Sequence, residues 1–191
     1  MLIALALIWG AVWARAIPAH ALAASFGDED GRPQHLETTA LVIETADGKR
    51  HPFLVELADN EQERRIGLMF RRRLDAYGGM LFHYLTPQRV AMWMKNTLIP
   101  LDILFIRANG RVVNIAHGKP RDLTALPSRG RVLAALELAG GTAARLGIRA
   151  GAVVHHPIFG NWTDADAALV RERFGSNRMR GPDEEADAAH R

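Results

Sequence analysis

A turn at Asn109-Gly110 constrains the fold of this chain more than any other feature. It separates two runs of β-forming residues, Leu101 to Arg107 and Arg111 to His117. Asn-Gly favours the tight turn of an antiparallel hairpin, because both residues accept a left-handed backbone. The sequence therefore predicts two paired antiparallel strands at this point.

The predicted turn also fixes which residues face each other. If Asn109 and Gly110 form a two-residue loop, Ile106 pairs with Val113, Leu104 with Ile115 and Asp102 with His117. The first two pairs are apolar. Asp102 and His117 would then lie together at the open end of an apolar face.

Other β-forming runs follow the same pattern. Thr38 to Thr45 and His51 to Leu57 flank a turn with Asp47-Gly48, and Val132 to Leu138 and Ala152 to Ile158 are further strands. A short helix is predicted from about Asn60 to Met69, with Asp59 accepting from its free amides. We predict a mainly β (α+β) fold, namely a small antiparallel β-sandwich or barrel-like domain with one or two short helices.

The two ends of the chain differ from its centre. Residues 1–14 carry no charged side chain and precede small residues around Ala21, which is typical of a secretory signal. We predict a signal peptide over 1–23, a flexible leader over 24–37, the β domain over 38–160, and a helix with a disordered tail over 161–191. The expected location is periplasmic or secreted, with an uncleaved N-terminal membrane anchor as the alternative.

Composition excludes some classes of function. The chain has no cysteine, so it has no disulfide, thiolate metal site or cysteine nucleophile. Its 24 basic and 21 acidic residues give a net charge of only +3, which does not indicate nucleic-acid binding. Export would also separate the protein from nucleic acid. The oligomeric state stays open.

A cluster of polar residues follows an aromatic one near the middle of the chain. In an extended backbone, Trp93 and Lys95 lie on the same side, and Asn96 and Asp102 follow around the next bend. A stacking wall, a cation, an amide and a carboxylate would suit a small anionic or polyhydroxylated ligand. The structural alternative is that Trp93 belongs to the core and Lys95 pairs with Asp102 or Glu137.

Catalysis and metal binding have weaker support. Asp102 with His117 or Glu137 could form an acid–base pair, although the sequence offers no activated nucleophile to complete a hydrolase site. His155 and His156 are neighbours on a predicted strand, so their side chains point to opposite faces and do not chelate one ion. We predict no metal site and no cofactor.

Five arginines lie between Arg64 and Arg73. Such a cluster could contact phosphate or anionic lipid headgroups. It could equally be a solvated surface whose charge is offset by Glu61, Glu63 and Asp75. Membrane contact is therefore expected only through the N-terminal segment, or weakly through this cluster.

Several separated motifs resemble one family in the correct order. They are Glu56-Leu57-Ala58-Asp59, Arg65-Ile66-Gly67-Leu68-Met69-Phe70, Gly79-Met80-Leu81-Phe82, Trp93 to Asp102, and Leu136-Glu137-Leu138 followed by Gly147 and Gly151. Together they resemble the DUF192 family over about Thr38 to His156. The resemblance implies a small β-sandwich-like domain, often exported, without an established activity. The connection from His117 to Val132 departs from many members because it lacks cysteine.

Three hypotheses follow for the function. The first is a non-catalytic small-ligand-binding or accessory domain of the cell envelope, with a pocket formed by Trp93, Lys95, Asn96 and Asp102. The second is an envelope enzyme with an acid–base site centred on Asp102. The third is a protein-interaction module that uses the C-terminal helix and tail.

Overall fold

A computed structural model describes residues 31–175. The predicted signal peptide, the first half of the predicted leader and the end of the tail lie outside these residues. The strands are β1 Thr38–Glu44, β2 Arg50–Ala58, β3 Gly79–Gln88, β4 Ala91–Met92, β5 Leu101–Ile106, β6 Val112–Gly118, β7 Leu126–Pro127, β8 Val132–Ala139 and β9 Val153–His155. The helices are α1 Glu61–Ile66, α2 Thr142–Leu146 and α3 Asp164–Phe174, and a 3-10 turn covers Pro157–Phe159.

Seven strands form one curled sheet in the order β6-β5-β8-β3-β2-β1-β9, while β4 and β7 form a separate ribbon. The two ends of the sheet meet, since Arg111 pairs with Val153 and the Val154 amide donates to the Gly110 carbonyl over 2.8 Å. This curled, mainly β architecture confirms the predicted fold class. One pairing differs from the expected antiparallel pattern: β2 and β3 are parallel, because the chain crosses over through α1 before it returns.

The hairpin of β5 and β6 has the predicted register over most of its length. Leu104 pairs with Ile115 and Asp102 with His117, but Ile106 pairs with Val112 rather than Val113. The expected two-residue loop is therefore wrong. Arg107 and Arg111 bond across a three-residue loop, in which Gly110 has a φ of 79°. This is the known combination of a type I turn with a left-handed residue and a bulge.

Helix α1 is shorter than predicted and begins one residue later. Its N-terminal cap is Asn60, whose side chain accepts from the Glu63 amide over 3.0 Å, and not Asp59. The helix ends at Gly67, where the backbone has a φ of 52°. Gly67 directs the chain into Leu68 and Met69, which are buried. The residues that follow the short helix therefore join the core.

Both faces of the curled sheet are apolar. On one face, Leu104 and Ile106 of β5 pack in a cluster with Ala143 of α2. On the other face, Ile103 and Phe105 belong to a second cluster that includes Met94. Alternate residues of one strand therefore support two different layers, as expected for a sheet that is covered on both sides.

The described ends of the chain are packed against the domain. The side-chain amide of Gln34 donates to the Glu63 and Gly67 carbonyls over 2.8 and 3.0 Å, although Gln34 falls in the predicted leader. At the other end, Thr163 and Asp166 form the expected capping box of α3. Asp166 is fully buried and pairs with Arg50 of β2. The helix α3 therefore packs on the sheet as part of the domain.

Within residues 31–175, no helix is both long enough and apolar enough to cross a membrane.

Candidate functional site

A cavity of about 400 Å³ lies between α1, β3 and the chain around β4. We call it the Trp93 cavity. Its polar and aromatic lining consists mainly of Arg64, Arg65, Tyr84, Trp93, Lys95 and Glu137, and its apolar lining includes Leu68, Phe82 and Met92. Its volume falls within the range that small-molecule sites occupy. It contains three of the residues that the sequence singled out.

Trp93 and Lys95 are neighbours in this cavity. The Lys95 Nζ atom lies 5.6 Å from the centroid of the Trp93 ring, a distance at which an ammonium is attracted by the π face. The Trp93 side chain is 50% exposed, so the alternative that it belongs to the core is wrong. A large exposed ring at a cavity mouth provides a flat surface on which a planar ligand can stack.

Glu137 places a carboxyl group at the floor of the cavity. It lies on β8, directly between Met80 of β3 and Ile103 of β5, and is only 4% exposed. Among residues 31–175 its carboxyl takes part in no hydrogen bond or ion pair, and burial raises its pKa to about 8. At neutral pH this group is mostly a neutral acid, which can donate a hydrogen bond to a ligand oxygen.

Tyr84 and Arg64 form the neighbouring wall. Burial raises the pKa of the Tyr84 hydroxyl, which therefore remains a neutral donor, and its oxygen lies 3.2 Å from the Met92 sulfur. The Arg64 guanidinium carbon lies 6.0 Å from the Tyr84 ring centroid. Arg64 also donates to the His83 carbonyl over 2.8 Å, which holds this cation beside the cavity.

Asn96 does not join this site. Its backbone is left-handed, with a φ of 54°, and its carbonyl accepts from the Phe70 amide over 2.8 Å. Its side-chain nitrogen lies 3.9 Å from the Met69 sulfur. Asn96 lines a different, larger groove, because this tight turn directs it away from Trp93 and Lys95. The expectation that these three residues share one pocket is wrong for Asn96.

Asp102 and His117 also lie outside the Trp93 cavity. Asp102 is buried, and its Oδ1 atom lies 2.7 Å from the His117 Nδ1 atom, while the His117 side chain is 72% exposed. The other Asp102 oxygen accepts from the Ala143 amide over 2.7 Å. That amide belongs to the first turn of α2, whose residue Gly141 offers no side-chain cap. Asp102 therefore caps α2 and is not part of the predicted pocket.

No group of three or more potential metal ligands occurs between residues 31 and 175. The two adjacent histidines have separate partners. His156 is buried, its Nε2 atom lies 2.8 Å from the Thr39 hydroxyl, and burial lowers its pKa to about 4. His155 Nε2 lies 3.3 Å from a Glu44 carboxylate oxygen.

Sequence reasoning missed Tyr84 and Arg64 as members of the site. Tyr84 lies nine residues before Trp93 in no motif that indicates chemistry, and the sequence placed Arg64 only in the cluster of five arginines. The packing of β3 and α1 against the chain around β4 brings both residues to the cavity. Their positions could be inferred only once the strand order was known.

The family model of DUF192, described as an uncharacterized ACR, matches residues 42–156, which is more than half of the chain. A solved structure from Sinorhizobium meliloti 1021, described as a candidate transcription regulator, is 36% identical, with a TM-score of 0.64 over 66% of this chain and 99% of that one. A protein of unknown function from Novosphingobium aromaticivorans DSM 12444 is 43% identical, with a TM-score of 0.61 over 65% and 93%. No match was found among curated proteins. The chain belongs to the DUF192 family.

Proposed function

We propose that this protein is a non-catalytic binding domain that holds a small anionic ligand in the Trp93 cavity. The single observation that carries the proposal is Glu137, a nearly buried carboxyl group that lines the cavity and has no partner among the described residues. Buried polar groups in folded proteins are normally hydrogen-bonded. A ligand oxygen would supply the missing partner.

The other lining residues favour an anion over an uncharged ligand. Three basic side chains, Arg64, Arg65 and Lys95, border the cavity together with two carboxyl groups, Glu61 and Glu137. Because Glu137 is mostly protonated at neutral pH, it adds a donor without adding a repulsive charge. The cavity therefore offers cations, an O–H donor and an aromatic surface to the same ligand.

The composition of the walls suggests the shape of the ligand. Trp93 presents a half-exposed ring on which a planar apolar group can stack, while Leu68 and Phe82 provide apolar contact deeper in the cavity. A small aromatic or unsaturated carboxylate would match this arrangement, with its carboxylate toward Lys95 and Glu137. A polyhydroxylated compound could stack on Trp93 but carries no charge for the basic side chains to attract.

Calorimetric titration of the full chain tests this proposal. Benzoate and indole-3-acetate are the anionic probes, and sorbitol is the uncharged polyhydroxylated probe. We expect an anionic probe to bind and binding to be lost in Trp93→Ala and Lys95→Gln. Leu123→Ala and Lys119→Gln are matched controls, because both residues are exposed and line neither cavity. Equal losses in the site and control variants, or no binding of any probe, would reject the proposal.

We further propose that the domain acts at the cell envelope after export. The support is the uncharged apolar run of residues 1–14, followed by small residues suited to signal cleavage. Fractionation of the producing cell, with N-terminal sequencing of the purified protein, tests this. A soluble periplasmic protein that begins near Ala24 is expected. Recovery of the uncleaved chain from the cytoplasm would refute export without bearing on ligand binding.

A further inference from the structure

A second, larger depression of about 1640 Å³ lies away from the Trp93 cavity. We call it the arginine groove. Five arginines line it, and they come from three separate parts of the chain: Arg71, Arg72 and Arg73 after α1, Arg121 after β6, and Arg173 in the last turn of α3. The lining carboxyl groups are Glu56 and Asp75. The fold therefore gathers positive charge that the sequence distributes over a hundred residues.

One arginine is used by the fold itself. Arg71 is mostly buried, and its Nη2 atom lies 2.6 Å from a Glu56 carboxylate oxygen and also donates to the Gln34 carbonyl. The same Glu56 oxygen accepts from the Leu36 amide over 2.8 Å. This network holds the segment before β1 against the domain, and it neutralises both Arg71 and Glu56.

The remaining arginines are exposed to the groove. Arg72, Arg73 and Arg121 form no ion pair with any residue of 31–175, and Arg173 lies with its guanidinium carbon 3.4 Å from the Tyr77 ring centroid. Asp75 is the other carboxyl group on the lining. Four guanidinium groups beside one free carboxylate repel one another, and this repulsion is relieved when an anion binds between them.

Arg121 is also held in an unusual backbone conformation. Its φ is 61°, in the left-handed region of the backbone that residues other than Gly, Asn and Asp rarely adopt. The Arg121 amide donates to the Thr97 carbonyl over 3.0 Å, and the neighbouring Asp122 carbonyl accepts from the Met94 amide over 2.9 Å. These bonds fix the loop that carries Arg121 at the groove. Strained residues fixed in this way are common at binding sites.

We propose that the arginine groove binds a small molecule that carries more than one phosphate group. Guanidinium groups bind phosphate oxygens through two parallel hydrogen bonds, so several of them from different directions suit a multiply charged oxyanion better than a single carboxylate. The groove is also about four times the volume of the Trp93 cavity. Soluble polyphosphate compounds and diphosphate lipid headgroups present the same chemistry to these residues.

The first test is titration of the full chain with inorganic tripolyphosphate at low ionic strength. The double substitution Arg72→Gln/Arg73→Gln is compared with Arg107→Gln/Arg149→Gln, which removes the same charge from exposed sites outside both cavities. We expect the Kd to rise at least about tenfold in the first variant, since each charge-assisted hydrogen bond contributes about that factor. The control should change the Kd less than about twofold.

A second test separates the two sources of phosphate. Co-sedimentation with phosphatidylcholine vesicles, with and without cardiolipin, uses the same variants. Cardiolipin-dependent sedimentation that Arg72→Gln/Arg73→Gln abolishes would identify a lipid headgroup as the source. Tripolyphosphate binding without sedimentation would identify a soluble compound.

Three results would overturn the proposal. The first is no binding in either assay. The second is an equal loss of binding in the groove and control variants, which would mean unspecific attraction to a basic protein. The third is retention of a duplex oligonucleotide with no affinity for tripolyphosphate or cardiolipin. Benzoate binding in the Trp93 cavity is measured separately, so either binding proposal can be rejected without affecting the other.

Discussion

The stability of this protein should fall as the pH rises through neutrality, because of Glu137. In the folded state burial raises the pKa of this carboxyl group from its ordinary 4.5 to about 8. Between these two values the folded protein keeps a proton that the unfolded chain has released. The free energy of unfolding is therefore highest below about pH 4.5, as far as Glu137 determines it. It falls progressively as the pH rises from about 4.5 to about 8.

The size of the effect follows from the two pKa values. Each pKa unit corresponds to about 1.4 kcal/mol, so a pKa that moves from 4.5 to about 8 corresponds to about 5 kcal/mol. This is a large part of the net stability of a domain of this size, which is typically about 5–15 kcal/mol. Glu137→Gln keeps the shape of the neutral acid and removes its titration.

Urea unfolding of the wild type and of Glu137→Gln, from about pH 5 to about pH 9, measures this effect. We expect the variant to gain stability relative to the wild type by up to about 1.4 kcal/mol per pH unit. Subtracting the free energy of unfolding of the wild type from that of the variant at each pH removes the contribution of the other titrating groups. Glu61→Gln, at an exposed position on the edge of the same cavity, is the control. Parallel curves for the wild type and Glu137→Gln would refute a buried, unpartnered carboxyl at this site.

Three further measurements test other parts of the structure. Binding of an anionic probe in the Trp93 cavity should weaken as the pH rises through about 8, where Glu137 becomes negative, and calorimetry of Glu137→Gln should show no such loss. Asp102→Ala should reduce the free energy of unfolding by about 2–3 kcal/mol, because it leaves the buried Ala143 amide without an acceptor. His117→Ala should reduce it by less than about 1 kcal/mol, since this side chain is exposed, and equal losses in the two variants would contradict the capping role. Gly79→Ala should lower the melting temperature markedly, because an added Cβ would lie 2.3 Å from the Glu137 carbonyl oxygen of the paired strand.

Local rules predicted those parts of the fold that depend on neighbouring residues. The β5–β6 hairpin has most of its expected register, because a turn fixes the pairing of the strands beside it. Trp93 and Lys95 are neighbours as expected, although the strand ends at Met92 and Lys95 lies in a turn. The loop length was wrong because Asn109-Gly110 fits both a two-residue turn and the observed three-residue loop.

Other features depended on contacts that no local rule contains. The parallel pairing of β2 with β3 follows from the path of the chain through α1, which the β-forming pattern does not specify. The direction of the chain after Lys95 depends on the left-handed backbone of Asn96, so the sequence could not show that Asn96 and Asp102 leave the cavity. Tyr84 and Arg64 reach the site only through the packing of β3 and α1.

Asp102 and Glu137 are two buried carboxyl groups that differ in whether the fold gives them partners. They lie on adjacent paired strands, where Asp102 faces Leu138 and Glu137 faces Ile103, so side-chain alternation directs them to opposite faces of the sheet. Asp102 has partners for both oxygens, in His117 and the Ala143 amide, and the fold accounts for it completely. Glu137 has none among the described residues, and its burial works against stability at neutral pH. A buried carboxyl group that lacks a partner and lowers stability is the place where a ligand should be sought.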